Sequence, residues 1–347
     1  MRRNLIAALA VALVGVVLAA VATAAKNPGA GTTGTGTVFA DNPVQEFGDE
    51  TLTDQKDANA AVPTNAYHDV TLTNLNGSGY LCGDYACVRT STGPLAYSPT
   101  NTFKFMRHDD EFEQVMAYYW ITEAQKYVHD LGFGEPGGLP GVDNVSQPVR
   151  INQYGADNSF TTDHPTNEIR YGKGGVDDAE DAEVILHEYG HALHQGQGFQ
   201  FDSEQAGAIS EGFADYWAVT VTDVVDRENG WGQNEPLECV ADWDSTSYTS
   251  DVPHCLRRLD AGLTYPKDLN GEVHHDGEIW SQALWQIRET LNDNVKADRI
   301  ILDGSMNFPG TVMPDLANRT VAAALPLYDQ ATADIVRQEF VDRGILK

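Results

Sequence analysis

His187 and His191 stand four residues apart in Leu186-His187-Glu188-Tyr189-Gly190-His191. On a helix that spacing puts both imidazoles on one face, where they can chelate a single ion. Glu188 follows the first histidine directly, so it leans beside the ion rather than into its ligand set. That is the place for a general base acting on a water. H-E-x-x-H is the two-histidine zinc motif, yet a chance match somewhere in a chain of this composition has a probability of about 2%, so the pentapeptide alone does not decide. Catalytic zinc takes three protein ligands and keeps a fourth position for water. Ser210-Glu211-Gly212-Phe213-Ala214-Asp215 begins 19 residues after His191 and offers Glu211 as the third ligand. The neighbours of Glu211 (Ala208, Ile209, Phe213, Ala214 and Trp217) are apolar or small, which predicts a buried helix. An ionised carboxylate there needs a cation. Asp215, one turn further on, is placed to accept a hydrogen bond from a ligand imidazole and fix its tautomer.

A third cluster is Glu272-Val273-His274-His275-Asp276-Gly277-Glu278-Ile279-Trp280. His274 falls just ahead of an amphipathic helix carrying Ile279, Trp280, Leu284, Trp285 and Ile287. A histidine there can donate a hydrogen bond to charge developing on a substrate oxygen. His194, His254 and His275 read as surface or supporting residues.

These groups must be positioned by the elements around them. Residues 38–100 alternate short apolar runs with Gly, Pro, Asn and Asp, the pattern of strands and loops. From Asp110 to Leu131 the apolar residues fall at helical spacing, and Gly132 stops the helix. Strands broken by turns return from Pro148 to Ile169. Helices are predicted near 178–196, 204–225, 276–292, 312–325 and 329–343, the first opened by an Asp177 to Glu180 capping signature. Strands first and helices later is the α+β pattern.

The chain has 347 residues, 51 acidic against 22 basic side chains and a net charge of -29. Such a balance excludes electrostatic binding of nucleic acid, which needs clustered Lys and Arg. Only 8 of the basic residues are Lys, and Asp outnumbers Glu by 32 to 19. A densely acidic surface of this kind suits a salty medium. Residues 1–25 carry Arg2 and Arg3, an uncharged apolar run and Ala22-Thr23-Ala24, which read as a signal peptide. If uncleaved, that segment anchors the chain at the cell surface. No later stretch is apolar enough to span a bilayer. Residues 26–37, rich in Gly and Thr, read as a flexible linker. Four cysteines in an exported chain predict disulfides, and proximity pairs Cys82 with Cys87 and Cys239 with Cys255.

Taken together, His187-Glu188-Tyr189-Gly190-His191, Ser210 to Asp215, and Val273-His274 with Gly277-Glu278-Ile279-Trp280 resemble the fungalysin group of zinc metallopeptidases, among the thermolysin-like gluzincins. The likeness extends to Val38-Phe39 with Asn42-Pro43, Ala117-Tyr118-Tyr119 with Leu131-Gly132-Phe133, and Asp157-Asn158-Ser159-Phe160. The resemblance implies one zinc on His187, His191 and Glu211, Glu188 as general base and acid, and His274 as stabiliser of the tetrahedral intermediate. It also implies Asn158 as a binder of the extended peptide and Asp215 as the acid behind a ligand. Two features depart from the pattern. Residues 192–210 hold no tyrosine, and the acid that orients His274 has two candidates, Asp268 and Glu272. Arg257 and Arg258 are equally placed to supply a substrate-binding arginine.

The expected architecture is a two-lobed α+β domain over 38–347. It has a mixed β/α lobe over about 38–196, a mainly helical lobe over about 197–347, and zinc in the cleft between. The expected function is a secreted, monomeric zinc endopeptidase acting on proteins or peptides. The alternative is a catalytically silent zinc protein on the same fold. A purely structural site is disfavoured, because such sites are closed by four protein ligands and only three are assigned. Calcium is a further expectation from the wealth of carboxylates, although no D-x-D-x-D-G loop is present.

Overall fold

A computed structural model describes residues 31–89, 93–163 and 166–347. The expected signal peptide, 1–25, and the first part of the expected linker lie outside the described residues. The rest of that linker is a correction. Thr32–Val38 is strand β1, in which β-branched threonines favour extended backbone. Its glycines admit close neighbours: a Cβ on Gly36 would meet Val115 Cγ1 at 2.7 Å.

The order continues with helix α1 (Pro43–Phe47), β2 (His68–Leu75), β3 (Ala86–Val88), β4 (Thr102–Phe103) and α2 (Glu111–Asp130). Then come β5 (Gln147–Arg150), β6 (Phe160–Thr161), β7 (Ile169–Arg170), α3 (Ala182–Gly196) and α4 (Glu204–Asn229). After these lie β8 (Cys239–Val240), α5 (Asp242–Ser245), β9 (Arg257–Arg258), α6 (Val273–Leu291), α7 (Asn294–Ser305), α8 (Met313–Leu327) and α9 (Gln330–Asp342). One sheet runs β2-β1-β4 and a second β3-β5-β7-β6, in which β6 is an antiparallel edge strand. β8 and β9 form a small third sheet. Strands and α2 dominate the first half and helices the second, the two-lobed α+β arrangement.

α2 is buried almost throughout, with Phe112, Val115, Met116, Trp120 and Val128 fully enclosed. α4 packs chiefly on α3 and α6. Ser203 opens it by accepting the Ala206 amide at 3.0 Å, and Gly230 ends it in the left-handed region at φ 69°. α3 departs from the expected capping. Its N-cap is Asp181, whose Oδ1 accepts the Glu183 amide at 2.9 Å. Glu180 is instead committed to Arg107, with contacts of 3.1, 3.0 and 2.7 Å, so it cannot serve as a capping partner. α7 was not expected: Asn292 interrupts the apolar period, and Asp293 then restarts a helix by accepting the Lys296 amide.

Candidate metal centre

α3 and α4 cross where glycine removes the side chain. A Cβ on Gly190 would lie 2.8 Å from Ala214 Cα, and one on Gly212 only 2.2 Å from the Gly277 carbonyl of α6. The glycines within the three motifs are therefore what lets three helices carry His187, His191, Glu211 and His274 to one place.

One ligand atom from each of His187, His191 and Glu211 lies within 4.8 Å of the others. His187 Nε2 is 3.2 Å from Glu211 Oε2, and His191 Nε2 is 3.6 Å from Glu211 Oε1. The remaining ring nitrogens are held from behind. His187 Nδ1 donates to Asp215 Oδ1 at 2.8 Å, which turns its Nε2 lone pair toward a carboxylate oxygen. Lone pair against carboxylate is repulsive unless a proton or a metal cation lies between them. Glu211 Oε2 is also buried without a hydrogen-bond partner. Burial would lower the His187 pKa, but the adjacent Asp215 and Glu211 carboxylates raise it to about 10. Burial would raise the Glu211 carboxyl, but His191 and His187 hold it well below its ordinary value. A donor set of two imidazoles and one carboxylate, poised around positive charge, fits zinc.

Asp215 is itself fixed by Arg257, whose Nε and Nη2 each donate at 2.7 Å. Despite burial, this arginine and His187 bring Asp215 down to about 2. Of the two arginines, Arg257 is the one that reaches the candidate metal centre, while Arg258 turns to Asp260. Behind His191 stands Ser210, with Oγ 2.9 Å from His191 Nδ1 and 3.1 Å from His194 Nδ1. One hydroxyl can accept from the first ring and donate to the second, a link the sequence reading missed. His194 is a buried supporting residue, stacked between Phe199 and Phe213. His254 contacts Glu50, and His275 contacts Asp276 at 3.3 Å.

Glu188 is buried, and Thr161 of the edge strand donates to its Oε2 at 2.9 Å and to its backbone oxygen at 2.7 Å. Thr161 also went unrecognised, for nothing in its sequence neighbourhood marks it. His274 lies within the first turn of α6 rather than ahead of it, because Glu272 is the N-cap. Its Nε2 is 3.5 Å from Glu211 Oε2, and its Nδ1 is 2.6 Å from Glu272 Oε1. Glu272 is thus the acid behind His274, while Asp268 accepts from Thr264. Two adjoining cavities of about 490 and 290 Å³ share Ser159, His187, Glu188 and His274 in their walls. Asn158 is exposed at the rim of the larger one, two residues before β6. The structure pairs Cys82 with Cys87 and Cys239 with Cys255, Cys239 being the first residue of β8. Among the described residues no helix is long and apolar enough to cross a membrane.

No family model matches the chain. An extracellular metalloproteinase of Aspergillus terreus is 24% identical over 229 residues, covering 57% of this chain. The chain spans only about a third, 34%, of that relative's length. Among solved structures, the precursor of protealysin, a metalloproteinase from Serratia proteamaculans, aligns with a TM-score of 0.50 at 18% identity. That alignment covers 70% of this chain and 80% of the other. The fold is thus thermolysin-like, and the resemblance to fungalysin-like metallopeptidases read from the motifs agrees with both comparisons.

Proposed function

We propose that this chain is an exported zinc endopeptidase. The observation that carries the reading is the convergence on one cleft of two imidazoles, a carboxylate lacking a hydrogen-bond partner, a hydroxyl-held Glu188 and an acid-oriented His274. Similarity to an extracellular metalloproteinase supports both the activity and the export.

His187, His191 and Glu211 would hold the zinc, which would supply polarisation of the scissile carbonyl and acidification of a water beside it. Glu188 takes a proton from the attacking water and returns it to the leaving amine as the C–N bond breaks. The Thr161 hydroxyl occupies one lone pair of Glu188 Oε2 and fixes the side chain for that transfer. His274 presents its Nε2 edge to the carbonyl oxygen as charge develops there. Glu272 holds that ring, its own carboxyl brought down to about 2 chiefly by the His275 backbone amide. Asn158, beside the edge strand, is positioned to bind the backbone of an extended peptide.

A second cluster of acids would suit calcium, the further cation expected from the sequence. Asp41, Asp181 and Glu183 bring carboxylate oxygens within 4.8 Å of one another, an all-oxygen set that suits a hard cation. Asp226 and Asp242, which act electrostatically on Asp41, keep both carboxylate oxygens buried without hydrogen-bond partners.

The reading is tested by chelating the purified protein, measuring peptide hydrolysis, and adding back one equivalent of zinc. Activity should vanish and return. Zinc binding without any hydrolysis would favour the silent binding protein instead.

A further inference from the structure

The larger cavity holds more carboxyl groups than the proposed chemistry uses. Asp157, Asp178 and Asp244 bring one carboxylate oxygen each within 4.8 Å of one another, and all three line the wall that also carries His187 and Glu188. Asp178 and Asp244 are 2% and 5% exposed, so they belong to the interior and not to the acidic surface. Each has one oxygen held by a hydroxyl. Ser159 donates to Asp178 Oδ2, and Tyr248 donates to Asp244 Oδ2 at 2.9 Å. The other oxygen of each, Oδ1, is buried and has no hydrogen-bond partner. The cationic side chain in this wall, Arg257, is committed to Asp215 through two hydrogen bonds. Burial pushes Asp178 up to about 7, and burial with the charges of Asp178 and Asp157 pushes Asp244 well above its ordinary value.

We infer that this cavity receives an arginine or lysine side chain of the substrate, at a position flanking the scissile bond, with Asp178 and Asp244 as the residues that select it. The inference rests on the peptidase reading of the same cleft. Shape separates a basic side chain from a bare divalent ion. About 490 Å³ is far more room than an ion needs, and Val184, Val240 and Leu256 supply apolar wall for a methylene stem. A guanidinium brings five N–H donors to oxygens that have none. Glu188 lines the same cavity as the three aspartates, so a peptide seated for reaction borders it.

The test uses the zinc-loaded full chain. Products from a peptide library should show Arg or Lys enriched at one position next to the cleaved bond. A matched pair of peptides, Arg against norleucine at that position, should differ about tenfold or more in kcat/KM, the scale of a charged hydrogen bond. Asp178→Asn combined with Asp244→Asn should lower kcat/KM for the arginine peptide about tenfold more than for the norleucine peptide. A second measurement needs neither turnover nor a variant: calorimetry of agmatine binding against neutral butylurea, with agmatine expected to bind and butylurea not. Cleavage without basic preference, together with no agmatine binding, overturns the inference and leaves the peptidase reading standing. Agmatine binding without any hydrolysis sustains the pocket and overturns the peptidase reading. Stoichiometric calcium that displaces agmatine, and is lost in the double variant, overturns the inference in favour of an ion site.

Discussion

Glu272 Oε1 lies 2.6 Å from His274 Nδ1, and the same carboxylate accepts the backbone amides of His274 and His275 at 3.1 and 2.8 Å. One side chain therefore starts α6 and aims the ring that faces the metal centre. His274→Ala should lower kcat by about 10²–10³, the scale for loss of one such donor, with zinc content unchanged. Zinc measured by atomic emission alongside kcat checks this, and equal loss of zinc would make His274 a ligand.

Asp215 is bonded to His187 on one side and to Arg257 on the other. Asp215→Asn should weaken zinc binding by about 10–100-fold, since the residue behind a ligand tunes its basicity and orientation. Competition against a chromogenic chelator measures this directly. Unchanged affinity would remove Asp215 from the metal site.

Much of this arrangement was readable from spacing. The i, i+4 histidines, Glu211 on an apolar helix as candidate third ligand and Asp215 one turn beyond all follow from helix geometry. Thr161, Ser210 and the pairing of Arg257 with Asp215 do not. Their partners lie 27, 19 and 42 residues away, brought close by helix crossings and an edge strand rather than by any local pattern. Residues 32–37 of β1 fall within the expected linker because its glycines mimic flexible composition, whereas their role is to let neighbouring chain approach.

Stability should depend on pH through buried acids. Burial pushes Asp143 up to about 8 and Glu180 up to about 7, the latter despite Arg107. Unfolded carboxylates titrate near ~4, so between there and pH 8 the folded chain binds more protons and stability falls as pH rises. Asp215, held at about 2, acts oppositely only below that range. With chelator present, Tm should fall from about pH 5 to pH 8. Calcium should flatten the fall by replacing the missing protons at buried carboxylates. A Tm that rises over this interval contradicts the assignment.

Salt should stabilise the chain. A formal charge of -29 repels itself, and the repulsion is screened as the Debye length shrinks from about 10 Å at 0.1 M to about 3 Å at 1 M. Thermal melts from low to molar NaCl should show Tm climbing. A flat or falling series would class the surface as ordinary.

The most direct measurement separates metal binding from chemistry at Glu188. Glu188→Gln keeps the size of the side chain and leaves His187, His191 and Glu211 untouched. Zinc should remain near one per chain, while peptide hydrolysis should fall by about two orders of magnitude or more, the scale for a positioned general base. Glu211→Gln should instead lose zinc and activity together, because a neutral amide is a poor ligand for a divalent cation. Full activity in zinc-loaded Glu188→Gln would contradict the account.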